Sequence, residues 1–107
     1  MIYQLRLKLA KKELEAGRLY LRIEKYEPAL IYFNLVLSEY YDTIYFDEAL
    51  LNIIITHILR KEFQEAKLFL ENNKSSFLSN EKYMECSKII EDSKNGLKLK
   101  NYFKLLK

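Results

Sequence analysis

Apolar residues recur along the chain at helical spacing and divide it into five stretches. In residues 2–24, Ile2, Leu5, Leu9, Ala16, Tyr20 and Ile23 recur at helical intervals, and Leu7, Leu14 and Leu21 widen the stripe. This predicts one amphipathic helix. A charged line, Lys11, Glu15, Arg18 and Arg22, keeps the same spacing opposite the stripe. It reads either as a solvated face steadied by i,i+4 pairs or as a polar stripe facing a binding groove.

Residues 25–27 form a turn, and Pro28 suits the first helical position, where its missing N–H costs nothing. A second helix over 28–40 is apolar almost all round, with only Asn34, Ser38 and Glu39 as a wet edge, so it is expected to be covered on more than one side. Asp42 or Thr43 can cap a third helix, and Asp47 and Glu48 fall at the positive end of its dipole. The run LLNIIITHIL (50–59) leaves only Asn52 and Thr56 as a narrow polar line. Its three isoleucines favour a strand by propensity, but the helical context outweighs that and predicts a buried helix. A fourth helix over 63–73 points Phe63, Ala66, Phe69 and Leu70 inward. The stretch NNKSS (72–76) is a loop, and Ser79 or Asn80 can cap a fifth helix carrying Tyr83, Cys86, Ile89 and Ile90 on one face. Asn95 and Gly96 stop that helix, and residues 97–107 make a short basic amphipathic tail.

Composition agrees with an all-α chain. Of 107 residues, half are apolar while only two are Gly and one is Pro, which argues against disorder and against a turn-rich β fold. The net charge of +3 is too small to imply a nucleic-acid partner. Its distribution is uneven: residues 1–24 and 80–107 carry +3 each, and residues 25–50 carry −4. No stretch is apolar enough to span a membrane, and neither a signal peptide nor a lipobox is present in this chain.

Nothing in the pattern supplies chemistry. His57 is the single histidine and has no nucleophile in its sequence neighbourhood; it reads as a structural residue. Cys86 sits mid-helix beside Ile89 and Ile90 and reads as a small core residue, with no second cysteine for a disulfide or metal site. Asp42, Asp47 and Glu48 are accounted for by capping and dipole roles. No glycine-rich phosphate loop or metal-spacing motif occurs. The chain is expected not to be an enzyme and to need no cofactor.

Self-comparison is more informative. Laying YEPALIYF (26–33) over FQEAKLFL (63–70) pairs Tyr26 with Phe63, Ala29 with Ala66 and Phe33 with Leu70, a period of 37 residues. That is near the 34 of a tetratricopeptide repeat. The first unit resembles the tetratricopeptide pattern: Ala16 and Gly17 at the small-residue pair, Tyr20 at the aromatic site, Ala29 and Phe33 in the second helix. It departs at the closing proline, where Tyr41 stands. In the second unit Ile53 and Ile54 replace the small pair and His57 takes the aromatic site.

A narrower resemblance is to the outer-membrane β-barrel assembly lipoprotein BamD (ComL-like) family. It rests on Tyr26, Ala29, Tyr32, Phe33 and Val36, the linker YYDT (40–43), Tyr45, the triplet EAL (48–50), then Phe63, Glu65 and Ala66, with KKELEAGRLYLR upstream. It covers roughly residues 8–75. The resemblance implies a right-handed solenoid over residues 1–96, with repeats at about 8–43 and 44–78 and a capping helix at about 79–95. It also implies a non-catalytic docking scaffold at the periplasmic face of the outer membrane. Its partners would be the barrel component of the assembly complex and companion lipoproteins. Family members carry further repeats upstream; these, or self-association, would cover the apolar residues of 2–9. The class alternative is a generic tetratricopeptide adaptor unrelated to barrels. In either case Lys11, Glu15, Arg18 and Arg22 are expected to line the partner-binding groove with Asn52 and Thr56.

Overall fold

The computed structural model describes residues 2–94 and shows five α-helices joined by short turns. Helix α1 spans Ile2–Arg22, α2 Tyr26–Glu39, α3 Tyr45–Leu59, α4 Phe63–Asn72 and α5 Asn80–Lys94, with a 3₁₀ turn at Lys74–Ser76. No strand occurs among the described residues. The helix ends fall close to those read from the sequence, within the spread typical of frayed termini. The stop at Asn95 and Gly96 and the basic tail lie outside the described residues.

The 37-residue period reaches down to backbone geometry. Both α1 and α3 end on a residue in the left-handed region, Glu24 (φ 62°) and Lys61 (φ 61°). At the first turn the Lys25 N–H donates to the Tyr20 carbonyl (2.9 Å) and the Glu24 N–H to the Leu21 carbonyl (3.1 Å). At the second, the Glu62 N–H donates to His57 (2.8 Å) and the Lys61 N–H to Ile58 (2.9 Å). Each is a Schellman stop, satisfying two orphan carbonyls at a helix C-terminus and reversing the chain in three residues. The hairpins α1–α2 and α3–α4 are therefore one structural unit used twice.

Within the first unit the helices cross at Gly17. A Cβ placed on Gly17 would lie 2.5 Å from Cε1 and 2.8 Å from Cδ1 of Phe33, whose side chain is fully buried. Ala10, Leu14 and Leu21 complete the buried face of α1, and Ala29 and Val36 meet it from α2. The sequence stripe on α1 was thus only partly the core face. Ile2, Leu5 and Ile23 are 76%, 58% and 56% exposed, because the small residues Ala10 and Gly17 set the close contact and turn that stripe outward. Helix α2 is covered on more than one side, by α1 and by α3, while Ile31 stays 68% exposed.

Helix α3 is the centre of the fold and packs against α1, α2, α4 and α5. Every side chain from Ala49 to Thr56 is buried. The β-branched run holds as a helix because neighbours on all sides give its side chains contacts that no edge strand would. Asn52 and Thr56 keep their polar atoms on their own helix. The Asn52 amide donates to the Glu48 carbonyl (2.6 Å) and the Thr56 hydroxyl to the Asn52 carbonyl (2.7 Å).

The expected caps of α3 are not used as such. The Thr43 hydroxyl donates back to the Tyr40 carbonyl (2.8 Å), Asp42 bonds Arg6, and no side chain caps the helix. Asp47 does more than complement the α3 dipole. Its buried carboxylate accepts the N–H groups of Leu78 (2.8 Å) and Ser79 (2.7 Å), just before α5 begins. Glu48 adds an ion pair to Lys82 of α5 (2.5 Å), and Phe77 meets Tyr83 edge to face at 5.7 Å. Burial alone would lower the Lys82 pKa, but the hydrogen bond and charge of Glu48 outweigh it and raise it. Two acidic residues in the first turn of α3 thus fasten α5 to the hairpins.

Two substitutions test these contacts. Gly17→Ala gains helix propensity of about 1 kcal/mol but forces a methyl into the Phe33 ring, an overpacking that costs about 1–3 kcal/mol. Net destabilisation is expected in urea unfolding, and Phe33→Leu is expected to cost less in the Gly17→Ala background than in the wild type, because it relieves the clash. Asp47→Ala leaves two part-buried N–H groups without their acceptor and is expected to cost about 1–2 kcal/mol, with hydrogen exchange of α5 rising more than that of α2.

Candidate partner-binding groove

The charged line of α1 survives as a surface. Lys11, Glu15 and Arg22 are exposed and Arg18 is half-buried. With about 100° between successive residues, they lie about a third of a turn from the buried face of Ala10, Leu14, Gly17 and Leu21. On the other side of that face Tyr20 stacks on Tyr32 of α2, ring centroids 5.6 Å apart. Helix α1 packs against both α2 and α3, and the charged line flanks the buried face of α1.

Asn52 and Thr56 do not share its exposure. They are 2% and 0% exposed, so they are enclosed in the fold rather than lining an open surface. The reason is the covering of α3 on all sides, which a narrow polar line in sequence does not reveal. Asn52 Oδ1 is buried without a hydrogen-bond partner among the described residues. Its amide is spent on the Glu48 carbonyl, so the side chain braces α3 from within.

A polar tie that sequence spacing did not reveal closes the far end of α1. The Arg6 guanidinium donates from Nε to both Asp42 oxygens (3.2 Å each) and from a terminal nitrogen to Asp42 and to the Glu39 carbonyl (2.6 Å). It also lies 5.4 Å from the centroid of the Tyr40 ring. The hydrogen bond from Arg6 holds the Asp42 carboxyl below its ordinary range, and the same bond raises the Arg6 pKa. The bidentate fork, rather than charge alone, fixes the YYDT linker against α1. Only the alternating charge of the two segments hinted at it.

A second polar cluster lies at the turn after α3. His57 Nδ1 lies 3.0 Å from Glu62 Oε1, and Arg60 is 3.6 Å from the same oxygen. The His57 hydrogen bond lowers the Glu62 pKa, and the pair sits at the second Schellman turn. Burial pushes the Cys86 thiol up to about 12, far from a nucleophilic thiolate. Among the described residues no group of three His, Cys, Asp or Glu is placed to hold a metal ion, and no helix is long and apolar enough to cross a membrane. A crevice between α4 and α5 is lined by Phe63, Lys67, Leu70, Tyr83, Ile90 and Glu91.

These features define an all-α protein built on a repeated helical hairpin, with a charged line flanking the buried face of its first helix. No family model, curated protein or solved structure matches the chain.

The Arg6–Asp42 tie has a pH signature. A depressed folded-state pKa means that its contribution is full above the unfolded-state value of Asp42 and is lost as pH falls through the lower folded value. Asp42→Asn is expected to unfold with a shallower acid dependence than the wild type over that window in urea titrations. Parallel acid limbs would refute the assignment.

Proposed function

We propose that the chain is a non-catalytic protein-interaction scaffold of the tetratricopeptide type, a right-handed solenoid of two helix pairs and a further C-terminal helix. The recurrence of a whole hairpin after 37 residues, including both left-handed stops, carries the reading. The packing order supports it: successive helices pack in sequence, and α3 also contacts α1 and α5. Repeats that contact their neighbours and stack side by side make extended surfaces suited to protein partners.

Within that class the phrase around the YYDT linker favours a BamD-like component. It would help assemble and insert β-barrel proteins at the periplasmic face of the outer membrane, alongside the barrel component and companion lipoproteins. The Arg6 tie supports this reading, because it gives Asp42 of the linker a structural task. Tyr41, 64% exposed where the repeat pattern has proline, favours the second reading, a tetratricopeptide adaptor for an unrelated partner.

On either reading the partner contacts are Lys11, Glu15, Arg18 and Arg22, with Asn52 and Thr56 supporting from beneath. Isothermal titration of the chain against the purified barrel component and its companion lipoproteins tests the first reading. Arg22→Glu is expected to weaken binding by about tenfold, while Thr56→Val lowers stability and leaves affinity unchanged. Absence of binding to every one of those proteins would remove the barrel-assembly reading and leave the adaptor.

A further inference from the structure

Helix α1 carries a second apolar pattern that its hairpin does not use. Ile2, Leu5, Leu9, Lys12, Ala16, Leu19 and Ile23 are spaced alternately by three and four, the a and d positions of three heptads. Five of the seven are apolar and well exposed, from 36% at Leu9 to 76% at Ile2. Lys12 is exposed and Ala16 half-buried. A strict a/d seam is the narrow contact suited to one facing helix, not the broad face of a globular core.

We propose that this seam is a homodimer interface in which the α1 helices of two copies pack antiparallel. The occupant is argued from the fit of the seam to itself. In an antiparallel register centred between Ala10 and Lys11, Ile2 meets Leu19 of the second copy, Leu5 meets its Ala16, and Leu9 meets its Lys12. Each layer sets a large residue against a complementary one, and each occurs twice by symmetry. The g positions beside the seam include Lys8, Glu15 and Arg22, of which Lys8 and Glu15 fall within the paired layers. In this register Lys8 faces Glu15 of the second copy, again twice, so both flanking contacts are of opposite charge. Both side chains are exposed, and neither enters an ion pair among the described residues.

A parallel pair would fit less well. It stacks Lys12 on Lys12 and Ala16 on Ala16, one layer repulsive and the next underfilled, and sets Glu15 against Tyr20. The e positions Arg6 and Glu13 contribute little in either register. Arg6 is held by Asp42, and Glu13 is half-buried. The selectivity of the seam therefore rests on Lys12 and on the Lys8–Glu15 pair.

Sedimentation of the full chain over a wide concentration series tests this. A monomer–dimer equilibrium is expected. Glu15→Lys replaces two attractions with two repulsions and is expected to raise the dimer dissociation constant about tenfold. Lys8→Glu does the same, and the Lys8→Glu, Glu15→Lys double variant restores the wild-type value. Circular dichroism and the thermal midpoint of the dilute monomer stay unchanged, because these exposed side chains hold nothing within one copy. A chain that stays monomeric at every concentration overturns the proposal. So does a dimer indifferent to Glu15→Lys, or one that the double variant fails to restore.

Discussion

The contact between Gly17 and Phe33 sets the geometry from which the rest follows. A glycine in mid-helix sacrifices about 1 kcal/mol of helix propensity relative to alanine. Here that loss admits the face of a buried aromatic ring to the backbone of α1, at a distance that would not admit a methyl group. Dispersion over a whole ring and the burial of Phe33 outweigh the propensity lost. With α1 and α2 held this close, the Schellman stop at Glu24 need only reverse the chain. The fully buried Ala29, one turn ahead of Phe33, follows the same rule of small residues where helices cross.

The second hairpin reaches a similar geometry by a different balance. Ile53 and Ile54 stand where the first unit has Ala16 and Gly17, and both are buried. Helix α3 is enclosed by four others, so branched side chains on every side of it find contacts, and bulk replaces close approach. That enclosure has a polar consequence. Asp47, Asn52 and Thr56 are buried with α3, and each turns to a partner there, Asn52 through its amide nitrogen while its Oδ1 stays unpaired. Asn52 and Thr56 turn back onto carbonyls one helical turn earlier, while Asp47 reaches the N–H groups that precede α5. The same burial that removes Asn52 and Thr56 from an open surface makes Asp47 a fastening point.

How much of this was legible in the sequence depends on the range of the interaction. The five helices and the paired alanines were readable because periodicity and small-residue spacing are local signals. The burial of α3 was readable from its long apolar run, although the similar signal on α2 leaves Ile31 exposed. The face of α1 was not. Two apolar patterns share that helix, and periodicity weights leucine and isoleucine over the alanine and glycine that make the closest contact. The ties from Arg6 to Asp42 and from Asp47 to Leu78 and Ser79 join segments more than thirty residues apart, where local capping rules assign the same carboxylates to nearer partners. Of the charged line on α1, the exposure of Lys11, Glu15 and Arg22 was legible from spacing alone. The burial of its expected companions on α3 depended on neighbours that spacing does not identify.

Helix α1 can sustain three separate faces because its core face is made of small residues. A core face of leucines alone would need a wide apolar arc and a greater interhelical distance, leaving solvent a single polar side. Ala10 and Gly17 narrow that arc, and Leu14 and Leu21 fill it. What remains of the cylinder divides into the charged line and the heptad seam. The two are separate in kind as well as position. One is polar and would select a partner by charge; the other is apolar and straight and would select a helix. Lys8 and Glu15 stand between them, and Glu15 belongs to both. Occupancy of the seam would engage Glu15 in an ion pair and leave Lys11, Arg18 and Arg22 as a more uniformly basic line. Coupling between self-association and partner choice would then follow from the sharing of one carboxylate, without any change in the fold.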